Sequence, residues 1–161
     1  MIILGLDPGL ASTGFGAIFC ARSSATLRAA GHIETLPGDP IAKRLSQIFG
    51  DIGSLMATLR PELVAIENVF SLIRYPRAGI VLGEVLGIIY LSAYQHGAPI
   101  LEITPREVKN ALVGSGSATK RQIKSATRRI LGTEELSSPH AADAVAVALT
   151  AYYRKSYAES G

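Results

Sequence analysis

Residues 2–9 read IILGLDPG. Ile2 to Leu6 form an unbroken apolar run of strand length, and Asp7-Pro8-Gly9 stops it with β-turn chemistry. The strand therefore ends on an acid. In open α/β sheets, ligands gather at the carboxyl ends of the strands.

Working outward, residues 13–20 (TGFGAIFC) and 25–34 read as two more strands in a meander with the first. Residues 41–59 have helical spacing through Ile41, Leu45, Ile48, Ile52 and Leu55. A strand follows at Leu63-Val64-Ala65-Ile66, ending in Glu67, and then a polar loop with Arg74, Tyr75 and Arg77. An apolar helix over 78–96 leads to a short strand at 99–103. Helices at 105–112, 119–131 and 139–154 complete the pattern. Three early strands, then β-α-β and trailing helices, imply an α/β fold: a mixed sheet flanked by helices. With no repeat, low-complexity tract or linker, residues 1–154 read as one domain and 155–161 as a polar, flexible tail.

Composition supports a globular chain. Of its 161 residues, 48% are hydrophobic and 18% charged, which excludes a disordered chain. Cys20 is the only cysteine, so no intrachain disulfide is possible. The N-terminus has no basic segment and reaches Asp7 too early for a signal sequence, so a reducing, cytoplasmic setting is expected. Residues 78–94 are apolar but short for a bilayer span and carry Glu84, which predicts a buried helix and no membrane. Sixteen Lys and Arg against 13 Asp and Glu leave a mild excess, net +3. That excess says little until its distribution is known.

Asp7 and Glu67 each close an apolar strand. Singly, Asp7 reads as a turn former and Glu67 as a solvated residue past its strand. If the two strands are neighbours, two carboxylates meet at the rim of a dry core and repel unless a proton or a metal cation neutralises them. A helix opening with SPHAADAVAVAL, residues 138–149, adds two more groups. Ser137 or Ser138 can cap it, and Pro139 suits its first turn. His140 and Asp143, at i and i+3, then project to the same side. A cation is unfavourable near a helix N-terminus, so a neutral imidazole, the metal-binding form, is favoured there. The surrounding alanines let this helix approach the sheet closely.

Four blocks in order, ILGLDPGLASTGFGAI, AIENVF, VKNALVGSGSATK and HAADAVAVA, resemble the RuvC-type Holliday junction resolvases over residues 1–152. The resemblance implies a ribonuclease H-like fold, a homodimer, and cleavage of four-way DNA junctions with divalent metal. It maps the acidic site onto Asp7, Glu67 and Asp143. His140 stands where many members have aspartate and some have histidine. The implied catalytic and metal set is Asp7, Glu67, His140 and Asp143, with Asp7 shared between two ions of Mg²⁺ or Mn²⁺ and His140 a ligand or an orienter of water. Two ions about 4 Å apart can activate water, neutralise charge at phosphorus and assist the leaving oxygen. The resemblance also implies a branch-migration complex of the RuvA and RuvB type as partner.

Helix 119–131 sets Lys120, Lys124 and Arg128 on one stripe, which by itself is an ordinary solvated face. Lys120 nevertheless opposes the helix dipole in the first turn, and an anion beside it and the preceding Gly-Ser loop would answer both. With the resemblance, Lys109, Lys120, Arg121 and Lys124 are expected on the DNA backbone. Phe70, three residues after Glu67, is expected to stack on bases at the crossover, with Arg74 and Arg77 beside it. Gly79, Gly83 and Gly87 recur every four residues on the apolar helix, a flat groove for packing within the chain or, as the resemblance implies, in a twofold dimer. Two other readings compete: a module that grips junctions without cutting, and another ribonuclease H-like nuclease. The Asp7-Pro8-Gly9 turn with Thr13-Gly14 also resembles the first phosphate loop of actin-like ATPases, but 161 residues leave no room for their second lobe.

Overall fold

A computed structural model of the chain describes residues 1–22, 24–68, 76–133, 136 and 138–158. The strands are β1 (Ile2–Asp7), β2 (Ser12–Cys20), β3 (Ala25–Glu34), β4 (Leu63–Glu67) and β5 (Ile100–Ile103). The helices are α1 (Ile41–Leu59), α2 (Pro76–Gln95), α3 (Pro105–Val113), α4 (Lys120–Leu131) and α5 (Pro139–Ala158). The sheet order is β3-β2-β1-β4-β5, antiparallel through the opening meander and parallel from β1 to β4 to β5.

Because β1 is the middle strand, both of its faces are covered. Leu4 and Leu6 pack with Ile48, Ile52 and Met56 of α1 and with Val85 and Ile89 of α2. Ile3, on the other face, joins Val108 of α3, Ile123 of α4 and Val145, Ala148 and Leu149 of α5. Strand side chains alternate between faces, so a strand roofed on both sides carries no polar face. That is the physical content of IILGL.

Helix α5 is the centre of the second layer. Every residue from Ala141 to Tyr152 is buried except Asp143. It lies directly on the sheet: a Cβ on Gly5 would stand 2.0 Å from the carbonyl oxygen of Ala144, and one on Gly16 would stand 2.3 Å from Val145 Cγ2. The alanines of α5 predict this approach from the helix side, and glycines in β1 and β2 complete it from the sheet side.

Two expectations change. Helix α5 runs four residues past the expected end at 154, because no Gly or Pro interrupts it and Ser156 Oγ bonds back to Tyr152 O at 3.0 Å. Helix α2 is not the buried helix its composition predicts. Most of Arg77–Gln95 lies outside the core, although by length and composition that segment could cross a membrane. One stripe, Val85, Ile89 and Ala93, enters the core beside α1. The opposite stripe is open: Ile80, Leu91 and Tyr94 are exposed, and nothing lies within 4 Å of a Cβ built on Gly79, Gly83 or Gly87.

Candidate active site

The parallel pairing of β1 and β4 sets Leu6 opposite Ile66, so the next residues, Asp7 and Glu67, leave the sheet side by side. By strand alternation they share the face of Ile3 and Ala65, the one that α5 covers. The condition under which the two acids become a pair is met.

Helix α5 brings the other two groups. Ser138 caps it, its Oγ accepting from Ala141 N at 3.5 Å, and the first turn sits on β2. His140 Nδ1 comes within 3.2 Å of Asp7 Oδ2. Asp143, the one half-buried residue in an otherwise buried run, pairs with Lys120 Nζ at 3.1 Å. Lys120 arrives from the first turn of α4, where Thr119 and Gln122 form a reciprocal capping box.

Burial is the main electrostatic fact here. It pushes the Glu67 carboxyl up to about 7, with the charges of Asp7 and Asp143 adding. Asp7 is raised as well, chiefly by burial, against the lowering hydrogen bond of His140. The two carboxyls lie close enough for the charge of Asp7 to add to the rise of Glu67. The Lys120 ammonium is held above its usual range by its hydrogen bond to Asp143.

The donors stand in pairs: His140 with Asp7, Glu67 with Asp7, and Lys120 with Asp143. Among the described residues no three His, Cys, Asp or Glu side chains are gathered into one metal-holding set. Asp7 is the shared member, in contact with His140 and beside Glu67, while Asp143 is turned to Lys120. The chemistry of these acids still fits a hard divalent ion, since two carboxyls raised by burial are short of positive charge and oxygen donors suit Mg²⁺ or Mn²⁺.

Lys109 and Lys120 line a cleft of about 410 Å³ together with Glu67 and Asp143. Arg121 and Lys124 do not face it; they line a separate cavity of about 510 Å³ with Arg128 and Arg129. Arg77 is exposed at the start of α2. Phe70 and Arg74 lie outside the described residues. On the other side of the acids, a smaller crevice of about 320 Å³ runs between the Asp7-Pro8-Gly9 turn and Ala78, Val81 and Leu82 of α2.

Two residues that the sequence offers only as part of a phosphate-loop likeness have a supporting role here. Thr13, fully buried, donates its hydroxyl to Gly9 O at 2.7 Å and pins the turn that follows Asp7. Gly14 lies opposite Asp7 in the ladder and beneath His140. Isolated glycines inside strands are a signal of close backbone approach and could have revealed it.

The family described as crossover junction endodeoxyribonuclease RuvC matches residues 3–151. A protein of that name from Pelotomaculum thermopropionicum is 38% identical over 150 residues, covering 92% of this chain and 91% of the relative. One from Gloeobacter violaceus is 40% identical over 157 residues, covering 95% and 88%. Among solved structures, T. thermophilus RuvC in complex with a Holliday junction substrate superposes with a TM-score of 0.92 at 32% identity, over 98% of this chain and 96% of that one. The mixed sheet flanked by helices is thus the expected ribonuclease H-like one. With acids placed where two parallel strands meet a buried helix, and with this match along nearly its whole length, the chain belongs to the RuvC family of crossover junction endodeoxyribonucleases.

Proposed function

We propose that the chain resolves four-way DNA junctions by hydrolysing phosphodiesters in two opposed strands, during recombination and repair. The observation that carries this reading is the rim where Asp7, Glu67, His140 and Asp143 meet beside a cleft lined by Lys109 and Lys120. A scissile phosphate held by the two lysines lies against the acids. Asp7, Glu67 and Asp143, with His140, would hold Mg²⁺ or Mn²⁺. When bound, such ions lower the pKa of water and neutralise charge at the phosphorus. The contact of His140 Nδ1 with Asp7 Oδ2 fixes ring and carboxylate relative to each other, and burial in the α5 layer keeps competing water away from the acids.

Cutting two strands calls for two sites. The open stripe of α2, with Ile80, Leu91 and Tyr94 exposed beside Gly83 and Gly87, supports a homodimer paired through this helix. Isolated apolar residues on a surface are ordinary, but a contiguous stripe along one helix suits a partner. The reading extends to a branch-migration complex of the RuvA and RuvB type as partner, and to a cytoplasmic setting.

A synthetic four-way junction with labelled arms tests it. Paired nicks at symmetric positions, dependent on Mg²⁺ or Mn²⁺, are expected. Tight junction binding with no product under either metal would leave the chain a junction-binding module, and equal cutting of linear duplex would make it a less selective nuclease.

A further inference from the structure

Glu67 is the last residue of β4, and Asn68 takes the chain out of the sheet. The backbone N–H of Asn68 donates to Ile103 O at 2.8 Å, the closing bond of the β4–β5 edge. Strand ends loosen unless something beyond the ladder holds them. Here the hold comes from Glu102, which lies opposite Ile66 in the parallel register. Its Oε2 accepts from Asn68 Nδ2. Its Oε1 accepts from the hydroxyl of Tyr90 on α2 at 2.6 Å. Its backbone carbonyl accepts from Arg154 Nη1 of α5 at 3.3 Å, and the same guanidinium group pairs with Glu107 at 3.2 Å. One residue at the sheet edge thus ties the end of β4 to α2, and its main chain to α5.

We propose that Glu102 is a positioning residue for cleavage: its carboxylate, shared between Asn68 and Tyr90, fixes the end of β4 and so sets where the Glu67 carboxylate stands. The inference rests on the functional reading above. The carboxylate suits this task because both of its partners are donors. The Tyr90 phenol, raised to about 12 by burial and by Glu102, keeps its proton at neutral pH and remains a donor. Glutamine is a poorer substitute: its amide oxygen can accept from Asn68, but its nitrogen must then donate to the Tyr90 oxygen, which reverses that contact and removes the charge that strengthens both bonds. Glu102 is exposed, so its contacts contribute little to holding the fold together. Position is another matter: a misplacement of about 1 Å in a catalytic group can cost roughly a hundredfold in rate. Through Tyr90, the same carboxylate makes Glu67 sensitive to the placement of α2.

Four variants test this: Glu102→Gln, Asn68→Ala, Tyr90→Phe and the double variant Glu102→Gln with Asn68→Ala. Single-turnover cleavage of a four-way junction, junction Kd, Mn²⁺ binding without DNA by calorimetry, and melting temperature are read for each. Glu102→Gln should slow cleavage about tenfold and weaken Mn²⁺ binding, with junction Kd and melting temperature unchanged. Tyr90→Phe, which removes one arm only, should lose less. The double variant should be no slower than the worse single, because both changes break one contact. Unchanged cleavage and Mn²⁺ binding in Glu102→Gln, multiplying losses in the double variant, or a rate loss matched by unfolding would each overturn the proposal. If the wild-type chain does not cut, the functional reading falls and takes this inference with it; if it cuts and Glu102→Gln cuts equally well, this inference alone falls.

Discussion

A Cβ on Gly14 would stand 2.2 Å from the carbonyl oxygen of His140, and Gly14 is itself the ladder partner of Asp7. The first turn of α5 is therefore seated on the strand that flanks the acid. His140 reaches Asp7 because nothing larger than hydrogen separates helix from sheet.

Gly14→Ala should accordingly lose stability by about 1–3 kcal/mol through overpacking and lose cleavage more than stability, since α5 carries His140 and Asp143 away with it. Gly50→Ala, on an α1 position with open space around it, is the control and should be neutral or stabilising by about 0.5–1 kcal/mol. Chemical denaturation and cleavage per folded molecule check both. A Gly14→Ala protein as stable and active as wild type would mean that helix and sheet are not locked at this point.

Asp7→Asn, Glu67→Gln and Asp143→Asn should each abolish cleavage and leave junction binding largely intact, because each removes charge and little volume. Glu67→Gln should also stabilise the metal-free protein at neutral pH. The folded pKa of Glu67 is raised from 4.5 to about 7. The protonated form is thus the one the fold prefers. Its contribution is complete below pH 4.5 and is lost as pH rises through 7, on the order of 1–3 kcal/mol after allowing for partial exposure. Melting curves of wild type and Glu67→Gln should diverge across that window, with the variant the more stable at its upper end. Parallel curves would place the raised carboxyl elsewhere.

Asp7 and Glu67 were legible in the sequence because each ends an apolar run, and a strand end at a sheet edge is a place where an acid has a use. That β1 and β4 would be neighbours was not legible locally; it follows from the crossover through α1, which strand patterns do not specify. Asn68, Glu102 and Tyr90 left no signal for a related reason, since their meeting depends on the β4–β5 register. Helix α2 was misread because composition gives the wish for burial without naming the cover. Lys124 stands on the helical stripe of Lys120 and Arg121 came with the resemblance; both line a second cavity with Arg128 and Arg129, whereas Lys120 lines the acid cleft, a division that helical spacing alone does not show.

Lys109 and Lys120, the two lysines of the acid cleft, should carry the salt dependence of binding at the scissile phosphate. Replacing either with Ala should weaken junction binding and reduce the slope of log K against log salt by about 1. Lys120→Ala should cost the fold little, below about 1 kcal/mol, because its side chain is 88% exposed in the ion pair with Asp143. Binding titrations from low to moderate salt decide it. An unchanged slope for both would move the phosphate track away from the acids.

Gly83→Leu should weaken self-association. Gly83 and Gly87 leave room on the α2 stripe between Ile80 and Leu91, and a bulky side chain would hold a second helix off. Within one chain the new side chain meets open space, so the fold should survive, which circular dichroism verifies. Sedimentation should then show a shift from dimer towards monomer, together with loss of paired nicking. An intact dimer would put the interface on another face.

His140 decides how the site treats its metal. Its ring is half exposed and bonds to Asp7, so it is not a core residue whose loss would mainly disturb packing. If it ligates, His140→Ala should lose most activity while His140→Asp keeps much of it, because a carboxylate restores an anionic donor at the same place on α5. An imidazole brings no negative charge, so the native site should bind divalent cations less tightly than the His140→Asp site. Nitrogen donors also shift preference from Mg²⁺ towards Mn²⁺. The native chain should therefore cut better with Mn²⁺ than with Mg²⁺, and His140→Asp should narrow that gap by favouring Mg²⁺. Calorimetric binding of each ion to the DNA-free protein gives a readout independent of turnover. Identical metal profiles for the two proteins, in binding and in cutting, would confine His140 to orienting Asp7.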